Sequence, residues 1–115
     1  MSKHDHTLEF LLDLDGEIIV LSEGYWVKFE AKRVRESGNR PHGIKYSLTL
    51  HNDKGERVIG FDNAHKIPGK GEDTTYDHKH HVRRGSRIKE YHYDTAGKLM
   101  EDFWQEVNDF LGELL

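Results

Sequence analysis

The chain contains no cysteine, only two prolines and no apolar run of membrane-spanning length. The absence of cysteine excludes disulfides and thiolate metal sites. The missing apolar run excludes a membrane span, and the polar start Met1–His6 lacks the pattern of a signal peptide, so we expect a cytoplasmic protein without membrane contact. A chain of 115 residues can bury the core of one domain.

Charges of opposite sign are segregated along the sequence, although the net charge is only −4. Residues 1–23 and 93–115 each carry one lysine and six acids, whereas residues 24–92 carry fifteen basic and nine acidic residues. A basic centre is consistent with a positive surface that meets phosphates. The same pattern also fits an ordinary solvated surface, so charge alone does not choose a function.

Strand patterns occupy most of the chain before residue 94. Residues 25–35 and 44–51 alternate between apolar and polar side chains, which is the period of a half-buried strand. Asn52–Gly55 has the residues of a hairpin turn, and residues 56–62 return as the next strand. Residues 87–93 alternate again, while residues 1–7 are polar and are expected to form a disordered tail.

The period changes to that of a helix near the C-terminus. Asp94 or Thr95 can cap the helix. Large apolar residues then recur every three or four positions, at Leu99, Met100, Phe103, Trp104, Val107, Phe110, Leu111 and Leu114. We therefore predict a single α+β domain over residues 1–115, in which an antiparallel sheet of about four or five strands packs against one long C-terminal helix.

A long histidine-rich loop is predicted over residues 63–84, which show neither period. Its histidines are His65, His78, His80 and His81. Because histidine titrates near neutral pH, this loop is a candidate for proton transfer or for metal binding. An exposed loop without any site can have the same composition.

Metal binding is one interpretation of this loop. Any metal ligands would come from His65, His78, His80 and His81, a set that suits zinc or another first-row divalent ion. No distant partner at a fixed spacing supports such a site, so we predict no metal and no cofactor.

Metal-independent cleavage of RNA is a second interpretation. It needs a base for the 2′-hydroxyl proton, an acid for the leaving 5′-oxygen and cations near the phosphate. His78 and His80 can serve as base and acid, and Asp62 or Asp77 can orient an imidazole. The candidate phosphate-binding cations are Lys66, Lys70, Lys79, Arg83 and Arg84, and Tyr46 or Tyr76 can stack on a base.

A series of short motifs follows in a fixed order. They are residues 41–48 (PHGIKYSL), 55–63 (GERVIGFDN), 69–71 (GKG), 77–80 (DHKH), 91–94 (YHYD), Leu99 and 101–104 (EDFW). In order and spacing they resemble the TumE family of small prokaryotic toxins, over about residues 16–110. The inserted residues 72–76 depart from the family pattern and separate Lys70 from the histidines.

The resemblance implies a toxin that a cognate antitoxin of the helix-turn-helix type holds inactive. Action on RNA, free or on the ribosome, is our inference by analogy. The residues that the motifs imply are Lys45, Tyr46, Asp62, Asn63, Lys70, Asp77, His78 and His80. We assign catalysis to His78, His80, Asp62 and Asp77, and phosphate or substrate binding to Lys45, Tyr46, Asn63, Lys70 and Lys79.

Other function classes remain open. A non-catalytic nucleic-acid-binding or regulatory module would use a basic sheet face with Lys28, Lys32 and Arg33, and it would bind in a salt-sensitive way without turnover. A metal-binding protein would use the histidine-rich loop.

Overall fold

The computed structural model describes residues 5–64, 77–81 and 88–113. In these residues, the chain starts with a short helix and ends with a long one, and the sheet lies between them. The elements are α1 (Leu8–Asp13), β1 (Ile18–Val20), β2 (Trp26–Arg33), β3 (Ile44–His51), β4 (Arg57–Asp62), β5 (His78–His81), β6 (Lys89–Glu90) and α2 (Ala96–Glu113).

The described strands form one antiparallel sheet in chain order, from β1 at one edge to β6 at the other. The predicted α+β fold with a long C-terminal helix is confirmed. In the described residues the sheet has six strands rather than four or five, because β5 lies inside the segment that we predict to be a loop. Polar residues occupy both sides of β5, so it has no alternating pattern, and backbone pairing with β4 and β6 holds it.

Helix α2 packs across one face of the sheet, as its apolar stripe predicts. Leu99, Phe103, Val107 and Phe110 are buried, and Met100, Trp104 and Leu111 are partly buried. The Phe103 ring centroid lies 5.9 Å from that of Phe29 and 5.7 Å from that of Phe61. Burial of each such side chain contributes roughly 1.5–3 kcal/mol before entropy costs.

The N-terminus of α2 is capped from two parts of the chain. The Thr95 hydroxyl accepts a hydrogen bond from the Lys98 amide at 3.1 Å, as expected for a cap. The Asp5 carboxylate accepts from the Ala96 amide at 2.8 Å, and the Thr7 hydroxyl accepts from the Gly97 amide at 2.7 Å. Residues 5–7 therefore satisfy helix amides instead of joining a disordered tail, and residues 1–4 lie outside the described residues.

Side chains alternate between two faces of the sheet. The helix-covered face carries the apolar positions of the central strands, which include Val27, Phe29, Leu48, Ile59 and Phe61. The opposite face, which we call the polar face, carries Lys28, Lys45, Ser47, Thr49, Asp62, His78 and His80. The register of the strands decides which of these polar residues meet.

Candidate active site on the polar face

One row of cross-strand partners crosses the polar face. Ser47 pairs with Asp62, Asp62 pairs with His78, and His78 pairs with Glu90. Directly opposite residues of antiparallel strands have Cβ atoms about 4.5–5.5 Å apart and point to the same side. The His78 imidazole therefore has a carboxylate on each side, one from β4 and one from β6.

Asp62 is fixed by several neighbours. Its side chain is buried, and it accepts hydrogen bonds from the Ala64 amide and, at 3.4 Å, from the Ser47 hydroxyl. The Arg57 Nη2 atom lies 3.5 Å from Asp62 Oδ2. A buried carboxylate needs such partners to remain charged, so this group is held in a defined orientation beside His78.

Arg57 lies directly over Gly60. A Cβ atom on Gly60 would lie only 2.0 Å from Arg57 Nη2, so any side chain there would displace the guanidinium. Gly60 is the β4 partner of His80, which brings Arg57 to the second imidazole of β5. We did not identify Arg57 from the sequence, but the glycine inside a strand is a signal for such a close approach.

The pKa of His80 is lowered from its ordinary value of 6.5. Burial is the largest cause, followed by the positive charge of Arg57 and the neighbouring imidazoles of His78 and His81, while Asp62 acts in the opposite direction. His80 is therefore neutral at pH 7 and can accept a proton.

A second polar cluster surrounds Asp77, whose side chain is buried. Asn63 Nδ2 donates to Asp77 Oδ1 at 3.3 Å and to the Ile44 carbonyl at 2.9 Å, and Asn63 Oδ1 accepts from the Tyr46 amide at 2.8 Å. Burial raises the pKa of Asp77, against the opposing effects of Tyr46, His42 and Asn63. Asn63 thus joins the start of β3 to the residue that precedes β5.

Two tyrosines complete the cluster around Asp77. The hydroxyl groups of Tyr46 and Tyr93 are buried, and their ring centroids are 5.8 Å apart. Burial, and then the charge of Asp77, raises the pKa of both tyrosines far above the ordinary value. His42 stacks on Tyr93 with 4.2 Å between ring centroids.

A family model described as Toxin TumE matches residues 7–111. The chain belongs to the TumE toxin family. The resemblance seen in the sequence is thereby confirmed, and membership makes the chain the toxin of a toxin–antitoxin system with a cognate antitoxin as partner. The chain matches no curated protein and no solved structure.

For this TumE-family toxin, the structure groups Asp62, His78 and His80 on the polar face and separates them from Lys79. The Lys79 ammonium lies on the helix-covered side, 3.6 Å from Glu106 Oε2 and 5.5 and 5.4 Å from the ring centroids of Phe61 and Tyr91. Asp77 lies in the buried tyrosine cluster. The candidate catalytic residues thus form two groups.

The candidate binding residues also differ in their surroundings. Lys45 is exposed on the polar face, opposite Lys32. Tyr46 has no exposed surface, so its ring offers no face for stacking on a base, and Asn63 is committed to backbone hydrogen bonds. Lys70 and His65 lie outside the described residues.

The basic surface that a nucleic-acid-binding module would use is largely paired with acids. Lys28 is 2.9 Å from Glu30, Lys32 is 2.8 Å from Asp15, and Arg33 pairs with Glu9. By strand alternation, Arg33 points to the side opposite Lys28 and Lys32. These three residues therefore do not form one continuous positive patch.

Two further observations on the structure concern metal binding and membrane-spanning helices. In residues 5–64, 77–81 and 88–113, no group of three or more histidines and acids is arranged to hold a metal ion. His81, one of the candidate ligands, is buried on the helix-covered face with its ring 5.6 Å from that of Phe110. No helix in the described part of the chain combines the length and apolarity needed to cross a membrane.

Proposed function

We propose that this TumE-family toxin cleaves RNA by metal-independent acid–base chemistry at Asp62, His78 and His80. The observation that carries the proposal is the strand register, which sets Asp62 opposite His78 and brings Arg57 to His80. Two imidazoles, an orienting carboxylate and a guanidinium are the groups that a phosphodiester transfer requires.

The lowered pKa of His80 makes this residue the base. Neutral His80 takes the proton of an RNA 2′-hydroxyl, and the resulting oxygen attacks the adjacent phosphorus. The bond from phosphorus to the 5′-oxygen breaks as His78 donates a proton to that oxygen. The products are a 2′,3′-cyclic phosphate and a 5′-hydroxyl, and one proton has passed from His78 to the leaving oxygen while another has passed to His80.

The neighbouring residues orient the imidazoles or bind the phosphates of the RNA. Asp62, held by Ser47 and the Ala64 amide, fixes the ring of His78. Arg57 offers positive charge to the phosphorane-like transition state, which is more negative than the ground state. Lys45, exposed two residues before Ser47, extends the same face toward the phosphates of a bound strand.

The cleavage assay compares wild type with His80→Gln and His78→Gln on free RNA and on translating ribosomes, each with and without a chelator. We expect each variant to lose roughly 10²–10⁴ in rate, the usual contribution of a catalytic acid or base. The chelator should change nothing, and the product ends should be a cyclic phosphate and a 5′-hydroxyl. His6→Gln is the matched control, since His6 is exposed and lies outside both clusters.

Three results would contradict the proposal. The first is the absence of cleavage by the wild type on either substrate. The second is equal cleavage by wild type and His80→Gln. The third is full loss of activity on chelation, which would favour a metal-dependent reaction instead.

The proposal includes a helix-turn-helix antitoxin as the partner that keeps the toxin inactive. Family membership supports an antitoxin, and the helix-turn-helix type comes from our sequence analysis. The test is whether the protein encoded by the reading frame beside the toxin gene has that fold and abolishes cleavage at equimolar ratio.

A further inference from the structure

Strand β1 forms an apolar edge of the sheet. Ile18, Ile19 and Val20 are 54%, 37% and 75% exposed, which is high for three consecutive β-branched residues. The strand pairs with β2 on one side, and no described strand lies on its other side. Edge strands of this kind are templates for an added strand unless the fold protects them.

The hydrogen-bond pattern shows which groups of β1 point outward. The Leu21 amide donates to the Tyr25 carbonyl at 2.7 Å, and the Phe29 amide donates to the Glu17 carbonyl at 3.0 Å. Residues of an antiparallel ladder alternate between bonded and non-bonded pairs. Glu17, Ile19 and Leu21 therefore bond to β2, while Ile18 and Val20 direct their amide and carbonyl groups away from the sheet.

The neighbouring part of this edge is protected. Just before β1 begins, the Asp15 carboxylate accepts a hydrogen bond from the Ala31 amide of β2 at 2.9 Å and occupies the place of a further strand. At the opposite edge of the described sheet, β6 consists only of Lys89 and Glu90, and charges on a short strand discourage pairing. Within the described residues, neither a capping side chain nor a charged strand residue protects the apolar edge of β1.

Acids flank β1 on both sides along the chain. Glu17 precedes β1 and Glu23 follows it, both exposed, and Gly24 lies close to Asp53 in the turn between β3 and β4. Residues 5–23 include six acids and neither lysine nor arginine. A second copy paired antiparallel here would bring Glu17 and Glu23 of the two chains together, and like charges across strands are destabilising. A strand with basic flanks would meet complementary charge.

We propose that β1 binds an extended segment of the cognate antitoxin, which adds to the sheet as a seventh strand beside Ile18 and Val20. The segment has apolar residues at alternate positions, to cover the two exposed side chains, and lysine or arginine at its ends, to meet Glu17 and Glu23. The proposal rests on the toxin–antitoxin assignment and does not depend on the reaction at His78 and His80.

The probe is the purified protein encoded by the reading frame adjacent to the toxin gene, titrated against the full toxin by calorimetry. Val20→Lys should weaken binding by about tenfold or more, because it sets a cation against a basic segment. Ile88→Lys is the matched control: Ile88 is 37% exposed near the opposite edge, and its substitution should leave the affinity unchanged.

A second variant tests the backbone contact directly. Val20→Pro removes an amide that points away from β2, so the fold keeps its own ladder while the added strand loses a donor. Affinity should fall by about tenfold or more, since strand addition depends on main-chain hydrogen bonds. Hydrogen exchange by NMR should show the amides of Ile18 and Val20 becoming protected in the complex, with Ile19 unchanged because it already bonds to β2.

Several results of these experiments would overturn the proposal. Binding by Val20→Lys as tight as wild type, a complex without new protection at Ile18 and Val20, or no binding by the wild type would each overturn the proposal. A toxin dimer that Val20→Lys dissociates would assign the edge to a second copy instead. His80→Gln should bind the antitoxin like wild type. A failed RNA assay therefore does not contradict antitoxin binding at β1, and a failed binding test does not contradict RNA cleavage.

Discussion

Neighbouring residues of β5 belong to different parts of the molecule. His78 and His80 project to the polar face, where they meet Asp62, Glu90 and Arg57. Lys79, between them, lies among aromatic rings and beside Glu106 on the helix-covered side. Because successive side chains of a strand alternate, a cluster of titratable residues in the sequence is divided into two environments by the pleat.

The two faces also differ in what their residues contribute. The helix-covered face holds interlocking rings and aliphatic side chains. Replacing one of them with a smaller residue creates a cavity. The polar face holds buried but partnered charges, and substitutions there should affect the proposed reaction while leaving the core intact. Substitutions on the helix-covered face should therefore lower mainly the stability, and substitutions on the polar face should lower mainly the activity.

The largest expected effect is on the helix-covered face. Phe103→Ala leaves a cavity between Phe29 and Phe61, so the free energy of unfolding should fall by about 3–5 kcal/mol in denaturant titrations. His80→Gln, half-buried on the polar face, should change it by about 1 kcal/mol or less. Equal destabilisation by the two substitutions would show that the polar face is part of the structural core.

The next effect concerns the pH dependence of cleavage. The proposed reaction requires neutral His80, so its rate should rise with pH through a value below 6.5, the ordinary pKa of histidine. Arg57→Gln removes one cause of the lowered pKa of His80, and the rise should move to higher pH. The plateau should also fall by about 10²-fold, since a charge near the phosphorane is lost.

Arg57→Lys is the control for this pH profile. It keeps the positive charge, so the rise in activity should stay near that of wild type even if the plateau falls. An unchanged pH profile in Arg57→Gln would show that Arg57 does not influence His80, and burial would then be the cause of the lowered pKa of His80.

Sequence reasoning succeeded where periodicity is strong. The alternation of β2 and β3 and the apolar stripe of α2 predict both the elements and the faces that they bury. It failed at β5, because His78–His81 carries polar side chains on both faces and therefore has no period to detect. The helix cap from Asp5 and Thr7 was also missed, since these contacts span about ninety residues of chain.

The composition of the candidate site was easier to predict than its geometry. Asp62, His78 and His80 follow from the chemistry of the residues and from the family motif. Arg57 and Glu90 do not, because only the strand register brings them to the imidazoles. Tyr46 looked like a stacking residue, yet its position on the apolar side of β3 buries the ring completely.

The smallest expected effect is the contribution of Asp77, on the helix-covered side, to the stability of the fold. Burial raises the pKa of this carboxyl, so the folded protein holds the proton to a higher pH than the unfolded chain does. This favours the folded state below the ordinary pKa of 3.8, and the benefit is lost as pH rises through the raised folded value. At neutral pH the buried charge is therefore a net cost to stability.

Asp77→Asn removes that charge and keeps an oxygen to accept the hydrogen bond from Asn63. The variant should unfold at higher denaturant than wild type at pH 7, by about 1 kcal/mol or less, and the difference should vanish below pH 3.8. If the variant is instead the less stable protein at pH 7, the cluster formed by Asn63, Tyr46 and His42 favours the carboxylate. Asp77 would then be a stabilised anion comparable with Asp62, and the two faces would no longer divide into structure and chemistry.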